Sequence, residues 1–377
     1  MKQFQYLMQL KKNDLLDFFI LCFNMTRMIA PHNIYIHVPY CISKCNYCAF
    51  FSRAISPDWD SYCNQICNEI DYWFNKLGHI NVPTVFFGGG TPSLMPINVF
   101  QKIIQHLNHN FDLSHCDEIT LESNPGTITY DKLQEFVANG MTRLSIGVQS
   151  FDDDELQFLG RKHNAQTAID LINDAQKSGI RVSADFIYGL PNHNVKNVIN
   201  LCTQINDIGL QHASLYELTI EPNTPFGHMN LNMPSNDEMA EMYLTIQSHL
   251  NLSRYEVSNY SAPNQQCRHN QNVWDGDAYI GLGNGAMGRV LIDGDWFEQS
   301  GGDIKTTKID TNTRATERII TGLRTTRGVL IDDTIKNIVD IDFINSNNEL
   351  VQIKDNHIIA TPKGLLTLDN LILHIIK

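Results

Sequence analysis

Three cysteines in the first part of the chain have the spacing of metal ligands. Cys41, Cys45 and Cys48 form a C-x3-C-x2-C pattern directly after an alternating apolar run at residues 34–38. That run predicts a β-strand, so the three thiols are expected on one loop at the strand's carboxyl end. A structural zinc ion takes four ligands, and a cubane iron-sulfur cluster contains four irons. Three cysteines therefore leave one coordination position open for another molecule.

A [4Fe–4S] cluster is the predicted occupant of this loop. Its fourth iron could be chelated by the amine and the carboxylate of an amino acid ligand. The alternatives are a zinc site with a distant fourth ligand, or buried cysteines that bind no metal. The strand before the loop favours the cluster. Tyr47 stands between two of the cysteines, where its ring would cover the cluster or face an adenine.

A glycine-rich turn follows the next predicted strand. Residues 88–92 read G-G-G-T-P after the apolar run at 83–87. Without Cβ atoms, the backbone of such a turn can approach a ligand closely. The turn lacks the Lys-Ser/Thr of a phosphate-binding P-loop and the G-x-G-x-x-G of a dinucleotide site. Alone it would be a tight turn, but beside the cysteine loop we expect it to bind the amine or carboxylate of a ligand.

Four further polar side chains stand on or just after apolar elements, namely Glu122, Gln149, Arg161 and Asp185. A buried charge is costly unless it is paired or bound to a ligand. Each residue alone is explained by an ordinary salt bridge or helix cap. As a set at one face of the fold, they suit the ribose hydroxyls, the carboxylate and the amine of a molecule such as S-adenosylmethionine.

From residue 33 the sequence alternates short strand-like runs with helical ones, which predicts parallel strands joined by crossover helices. The predicted strands are 33–38, 83–87, 118–122, 143–148, 181–187 and 212–218, and the predicted helices are 59–77, 97–108, 129–139, 152–160, 165–178 and 194–208. A doubly wound open sheet shows the same alternation. Polar residues follow the carboxyl end of every strand in turn, which favours a TIM-like partial (β/α)6 barrel.

The alternation stops after Pro222, which predicts a second, smaller α+β domain. We place the barrel at residues 33–234 and the second domain at 235–377. Residues 1–32 are expected to form an N-terminal extension that is either poorly ordered or precedes the true start of the protein. Its apolar run at 15–23 is interrupted by Asp17. The run is too short for a membrane-spanning helix, which needs about 20 apolar residues.

The composition limits the class of protein. The chain has 377 residues, of which 42% are hydrophobic, and its net charge is −13 at pH 7. The negative charge argues against nucleic acid as the main partner, because phosphate binding needs a basic face. Nine cysteines without a recognisable signal peptide indicate a reducing compartment, where a tight cysteine cluster binds metal more often than it forms disulfides. We therefore expect a cytoplasmic protein.

The cysteine loop, the G-G-G-T-P turn and the order of the strands resemble those of the radical S-adenosylmethionine superfamily. Narrower similarities indicate its oxygen-independent coproporphyrinogen dehydrogenase family, and within that family the heme chaperone HemW branch. They lie at Tyr35 to Pro39 (Y-I-H-V-P), Glu122 to Gly126 (E-S-N-P-G), Ser145 to Phe151 (S-I-G-V-Q-S-F), Leu159 to Arg161 (L-G-R), Asp185 to Pro191 (D-F-I-Y-G-L-P), Leu215 to Pro222 (L-Y-E-L-T-I-E-P) and Cys267 to Asn270 (C-R-H-N). The resemblance covers the chain from about residue 35 to its carboxyl end.

The resemblance implies that Cys41, Cys45 and Cys48 hold the [4Fe–4S] cluster. It also implies that a set of other residues contacts S-adenosylmethionine, namely Tyr35, Gly89, Gly90, Thr91, Glu122, Gln149, Arg161 and Asp185. The reduced cluster would pass one electron to the sulfonium, which gives methionine and a 5′-deoxyadenosyl radical. A donor such as flavodoxin or ferredoxin is the implied source of that electron.

Two absences favour the chaperone branch over the dehydrogenases. The dehydrogenases carry a further cysteine two positions after the third, where this chain has Phe50, and their longer N-terminal arm has no match in residues 1–32. The chaperone branch is associated with binding heme and delivering it to membrane respiratory enzymes, which implies contact with the membrane periphery. The alternative is an oxygen-independent coproporphyrinogen III dehydrogenase, which removes two propionate carboxylates oxidatively.

His269 resembles the histidine of the branch's H-N-x-x-Y-W motif, and a neutral imidazole can serve as an axial heme ligand. The tyrosine of that motif is Val273 here, and Met287 stands where a related G-A-H-G turn has histidine. A capped or core histidine is the competing explanation for His269. The expected partners are heme or a porphyrinogen and, transiently, heme-accepting respiratory proteins.

Overall fold

The computed structural model describes residues 30–377. The predicted extension at 1–32 lies outside the described residues except for its last three positions. The apolar run at 15–23 lies wholly outside them, so its interpretation stays a prediction. Within residues 30–377, no helix is both long enough and apolar enough to cross a lipid bilayer.

Six parallel strands form the centre of the fold, and their bounds lie within two residues of the predicted ones. They are β1 (His32–Val38), β2 (Thr84–Gly89), β3 (Glu118–Ser123), β4 (Arg143–Gln149), β5 (Arg181–Tyr188) and β6 (His212–Glu217). The helices between them are α1 (Trp59–Leu77), α2 (Ile97–Asn110), α3 (Tyr130–Ala138), α4 (Asp153–Phe158), α5 (Ala165–Lys177) and α6 (Val195–Ile208). The strands are hydrogen-bonded to each other in chain order, which makes the predicted partial (β/α)6 barrel.

The central strands are buried on both faces, which explains why they read as nearly continuous apolar runs. Ile34, Ile36 and Val38 of β1 have no exposed surface. Helix α1 covers the sheet with one apolar face, on which Ile66 and Ile70 are also fully buried. Because the middle of each strand is occupied by this packing, the polar residues at the strand ends are the ones left free to line a site.

The sheet continues beyond the barrel at both edges. At one edge, the short strands β7 (Ser253–Arg254) and β8 (Asn259–Ser261) are added antiparallel next to β6. At the other edge, β9 (Ala278–Leu282) pairs parallel to β1, followed by the antiparallel strands β10 (Met287–Ile292), β11 (Asp295–Ser300) and β12 (Lys305–Lys308). All of these strands come after residue 235, where we placed the start of the second domain, and that boundary stays a prediction.

The last part of the chain has a hydrophobic core of its own, built around Ile319, Ile335 and Ile375. The helices after the barrel are α7 (Asn236–His249), α8 (Arg268–Asp275), α9 (Thr311–Gly322), α10 (Asp333–Ile338), α11 (Ile341–Ser346), α12 (Pro362–Leu365) and α13 (Leu368–Ile375). A small antiparallel sheet contains β13 (Val329–Leu330), β14 (Val351–Lys354) and β15 (His357–Ala360). This region has the α+β class predicted for the carboxyl-terminal part.

Glu118 joins the start of β3 to the start of α8. Its fully buried carboxylate accepts hydrogen bonds from the backbone N–H groups of Arg268 (2.9 Å) and His269 (3.1 Å). It also forms an ion pair with Arg181 at 3.0 Å. Burial by itself would raise the pKa of Glu118, but the nearby Arg143 and Arg181 charges and the two N–H groups lower it overall. The carboxylate is therefore a charged structural link between the barrel and the segment after it.

We expect the substitution Glu118→Gln to lower the free energy of unfolding by about 3 kcal/mol, because it leaves buried guanidinium groups without a counter-charge. The exposed neighbour Asp117, which pairs with Arg268 at 3.4 Å, supplies the control. Asp117→Asn should cost less than about 1 kcal/mol. Urea unfolding followed by circular dichroism measures both, and equal costs for the two variants would contradict the structural role of Glu118.

Candidate functional site

A cavity of about 460 Å³ lies at the carboxyl ends of the barrel strands. Ten of the thirteen residues proposed from the sequence line it: Cys41, Cys45, Tyr47, Cys48, Gly89, Gly90, Glu122, Gln149, Arg161 and Asp185. They come from the ends of five different strands, or from the loops that follow them, and meet because parallel strands place all of their carboxyl ends at one edge of a barrel. The volume is within the ordinary range for a small-molecule site.

The cysteine loop follows β1 and presents three half-buried thiols to this cavity. The Thr91 hydroxyl donates to Cys41 Sγ at 3.6 Å, and Arg161 Nη1 donates to Cys45 Sγ at 3.3 Å. Donors of this kind stabilise thiolate sulfur, which is the form that binds iron. In the part of the chain that the structure describes, no three His, Cys, Asp or Glu side chains are already grouped around a single ion-sized point. The donor set and its common cavity fit a cluster ligated by three thiolates.

The glycine turn lies directly against the cysteine loop. Gly89 has φ +110° and donates its N–H to Glu122 Oε2 at 3.0 Å. A Cβ at Gly89 would be 2.5 Å from Cε1 of His37, and a Cβ at Gly90 would be 2.6 Å from the carbonyl oxygen of Tyr40. Only glycine therefore allows this turn to pack under the cysteine loop while it keeps backbone groups at the cavity wall.

Two carboxyl groups, Glu122 and Asp185, line the cavity, and neither forms an ion pair with any residue in 30–377. Burial and, to a smaller extent, the neighbouring Asp185 raise the pKa of Glu122 to about 8. Burial likewise raises the pKa of Asp185, whose carboxylate accepts a hydrogen bond from Ser145 Oγ at 3.2 Å. Carboxyl groups whose charge is disfavoured by burial are suited to bind an amine, a sulfonium or hydroxyl groups of a ligand.

Arg161 connects the cysteine loop to the barrel strands. One of its nitrogens, Nη2, donates to the carbonyl oxygen of Gly147 at 2.6 Å and to Oδ1 of Asn124. Asn124 in turn donates to the Thr91 hydroxyl at 2.9 Å.

Gln149 has a left-handed backbone with φ +71° at an irregularity in the pairing of β4 with β5. A non-glycine residue in this backbone conformation is strained, and the surrounding contacts must compensate for the energetic cost.

Residues 35–205 match the radical SAM superfamily. The chain is 36% identical over 272 residues to the heme chaperone HemW of Escherichia coli (strain K12), across 70% of this chain and 71% of that protein. It is 34% identical over 274 residues to the heme chaperone HemW of Buchnera aphidicola subsp. Schizaphis graminum, across 71% of this chain and 73% of that protein. The chain belongs to the HemW family of the radical SAM superfamily.

Two further similarities are to a radical S-adenosyl methionine domain protein of another organism and to a solved structure. The chain is 35% identical to a zebrafish (Danio rerio) protein, radical S-adenosyl methionine domain-containing protein 1, mitochondrial, across 70% of this chain and 61% of that protein. The solved structure of coproporphyrinogen III oxidase (HemN) from Escherichia coli superposes with a TM-score of 0.75 at 19% identity, across 91% of this chain and 89% of that one. The second similarity concerns the fold alone and supports the radical SAM barrel.

Three of the proposed site residues do not line the cavity of this HemW-family chain. Thr91 lies behind the thiol of Cys41, to which it donates. Tyr35 lies one layer below the glycine turn, where its hydroxyl is 3.0 Å from Nδ1 of His37 and its ring stacks on Phe86. Both residues therefore support the cavity wall from behind.

His269 lies at the opposite, amino-terminal end of the barrel strands. Its Nδ1 is 2.8 Å from the hydroxyl of Thr84, the first residue of β2, and its side chain is 4% exposed. Burial lowers the pKa of His269 to about 4, so the ring is neutral. The C-R-H-N run that contains it is held by Glu118 through backbone N–H groups. The structure does not bring His269 to the cavity, and its role as a heme ligand stays a prediction.

Several cavity residues were not in the proposed set. Asn124 lies inside the E-S-N-P-G run, whose polar residues at the end of β3 were a usable signal. Tyr216 and Glu217, at the end of β6, belong to the strand-end polar residues that predict the barrel, but they were not proposed as ligand contacts. Phe50, at the position where the dehydrogenases have a further cysteine, also lines the cavity and is 69% exposed.

The raised pKa of Glu122 gives a pH-dependent stability. Its folded-state pKa lies above the ordinary value of about 4.3, so its contribution to stability is complete below that pH and is lost as the pH rises toward 8. We expect the unfolding free energy of the wild type to fall between pH 5 and pH 8.5. In Glu122→Gln this fall should be smaller by at least about 1 kcal/mol, or about 2 °C in Tm. Thermal unfolding of the protein without ligands, measured across this range, tests the expectation. Parallel pH curves for the variant and the wild type would contradict it.

Proposed function

We propose that this chain is a heme chaperone that binds a [4Fe–4S] cluster, S-adenosylmethionine and heme, and delivers heme to respiratory enzymes. The observation that carries the proposal is the common cavity of the three thiols, the glycine turn and the strand-end carboxyl groups, in a chain of the HemW family. The cavity supports the cluster and S-adenosylmethionine, and the family supports heme.

In this proposal Cys41, Cys45 and Cys48 hold the cluster. Glu122 and Asp185 receive the cationic and hydroxyl groups of S-adenosylmethionine, while Arg161 is placed to attract its carboxylate. When bound, the cluster supplies one electron for reductive cleavage of the sulfonium. The chain's own residues orient the ligand and keep water away, since Tyr47 packs in the apolar cluster around Phe226 at the cavity wall.

We expect anaerobically reconstituted wild-type protein to be brown and to hold about four irons per chain, and Cys45→Ala to lose most of this iron together with S-adenosylmethionine cleavage. Cys63→Ala is the matched control, because Cys63 is buried on α1 and does not line the cavity. Iron analysis and visible absorbance measure the difference. Colourless protein with stoichiometric zinc would instead support a zinc-binding module.

One position at the cavity favours a carrier over a coproporphyrinogen dehydrogenase. Phe50 stands where the dehydrogenases have their additional cysteine, and it lines the cavity. This observation supports the chaperone function, and the dehydrogenase remains the alternative to be tested.

An anaerobic comparison of the reconstituted protein with coproporphyrinogen and with heme separates the two functions. For the chaperone, we expect a saturable Soret shift on titration with hemin and no release of carbon dioxide from coproporphyrinogen. Repeated turnover to protoporphyrinogen would assign the chain to the dehydrogenases. If His269 is the axial ligand, its ring must leave Thr84, and His269→Ala should weaken hemin binding about tenfold, which is about 1.4 kcal/mol. His106→Ala, on helix α2, is the control, and an unchanged titration for His269→Ala would place the heme ligand elsewhere.

The proposal implies two transient protein partners. A flavodoxin or ferredoxin would reduce the cluster, and a respiratory protein would accept the heme. Such a cycle belongs in the cytoplasm at the periphery of the membrane, where respiratory enzymes are assembled.

A further inference from the structure

Asn46 lies inside the cysteine loop, directly after Cys45, and contacts two distant segments. Its backbone N–H donates to the carbonyl oxygen of Leu159 at 3.1 Å, and its side-chain Nδ2 donates to the carbonyl oxygen of Phe158 at 2.8 Å. Its own carbonyl oxygen accepts from the N–H of Phe226 at 3.0 Å. Three hydrogen-bonding groups of this residue, its backbone N–H, its backbone carbonyl and its side-chain amide nitrogen, therefore hold the loop.

Helix α4 ends at Phe158, and the last carbonyl groups of a helix have no partner within it. Asn46 supplies two N–H donors to this end from a different part of the chain. Gly160 follows with φ +77°, and a Cβ there would be 3.0 Å from Cγ of Asn46. The turn after α4 is thus packed directly against Asn46.

The residue after this turn is Arg161, whose Nη1 donates to Cys45 Sγ at 3.3 Å. Two short segments are therefore joined at both ends. Cys45 and Asn46 are neighbours in one segment, and Asn46 binds Phe158 and Leu159 of the other, which continues to Arg161. The position of the guanidinium relative to the thiolate therefore depends on the hydrogen bonds of Asn46.

The carbonyl contact brings in the chain that follows β6. The ring of Phe226 stacks on the ring of Phe158 with centroids 4.7 Å apart. Tyr47 packs against the same apolar cluster, which also contains Leu218 of the cavity wall. Asn46 is consequently the residue at which three parts of the site meet: the cysteine loop, the turn before Arg161 and this cavity wall.

We propose that Asn46 is a positioning residue that sets the contact of Arg161 with the Cys45 thiolate, and through it the reduction potential of the cluster and the affinity for S-adenosylmethionine. The inference rests on the cluster and S-adenosylmethionine sites of the proposed function. A hydrogen bond to a cluster sulfur stabilises the more electron-rich, reduced state and so raises the potential. Loosening the Arg161 turn should lower the potential and weaken binding of the ligand that Arg161 contacts.

Two substitutions test the residue at different strengths. Asn46→Ala removes only the bond from Nδ2 to Phe158. Asn46→Asp also places a carboxylate beside two carbonyl oxygens at a helix end, which is unfavourable. The control is Asn206→Ala, because Asn206 likewise makes two side-chain bonds between distant segments, to the carbonyl of His249 (2.8 Å) and from the N–H of Asn251 (2.9 Å), on the outside of the barrel.

For the reconstituted proteins, we expect both Asn46 variants to have a lower midpoint potential than the wild type, with Asn46→Asp lower than Asn46→Ala. A redox titration monitored by electron paramagnetic resonance measures these potentials. The Kd for S-adenosylmethionine should rise about tenfold in Asn46→Asp and less in Asn46→Ala. Asn206→Ala should lose stability but keep both values. Before reconstitution, Asn46→Ala should also show faster amide hydrogen exchange at residues 156–161.

The inference would be overturned if both Asn46 variants kept the wild-type midpoint potential and had Kd values for S-adenosylmethionine within twofold of wild type. It would also be overturned if Asn206→Ala changed the potential and the Kd as much as the Asn46 variants do. If Asn46→Asp takes up no iron, Asn46→Ala decides, because it removes a single hydrogen bond. A wild-type protein that takes up neither iron nor S-adenosylmethionine would overturn the proposed function itself, which is a different result from an unaltered Asn46 variant.

Discussion

The arrangement of the site depends on the hydrogen bonds that the guanidinium of Arg161 donates. It donates to the thiol of Cys45, the side chain of Asn124 and the carbonyl oxygen of Gly147. These three partners belong to the loop after β1, the end of β3 and the end of β4. A planar fork of donors can hold three such acceptors in fixed relative positions, which a single ammonium group cannot do. The geometry of the cavity follows from this connection.

Strand β3 shows how one element can serve stability at one end and function at the other. Glu118 and Glu122 are four residues apart and therefore point to the same face of the strand. Arg181 and two backbone N–H groups satisfy Glu118, whose pKa is lowered. Glu122 receives a bond from Gly89, and its pKa is raised by burial. A carboxyl group at a strand end whose pKa is raised by burial is a candidate for binding a ligand.

The fold alone does not decide which reaction or cargo the cavity serves. A chain of this family and a coproporphyrinogen III oxidase share the barrel at 19% identity, and one fold can carry different functions. Side chains at the cavity are where such a difference is expected, and Phe50 at the end of the cysteine loop is one of them.

Much of the barrel was predictable from the sequence. Strand and helix bounds agree to within two residues, because a buried parallel strand needs a continuous apolar run and a crossover helix needs a single apolar face. The cysteine loop, the glycine turn and the strand-end polar residues were predicted to meet for the same reason, since parallel strands put their carboxyl ends at one edge. Asn124 was within reach of this reasoning, although it was not chosen.

Contacts between distant segments were decided only by the tertiary structure. The pairing of β9 with β1 extends the sheet past residue 235, and local periodicity carries no information about which strand becomes the neighbour of an edge. The position of His269 beside Thr84 depends on where α8 is anchored by Glu118, and the bond from Arg161 to Cys45 joins residues 116 positions apart. The sequence by itself determined the repeating barrel and the loop of three thiols, because both follow from residue order along single elements. Only the folded chain decided which side chains touch the thiols, because packing and buried charge select those partners in three dimensions.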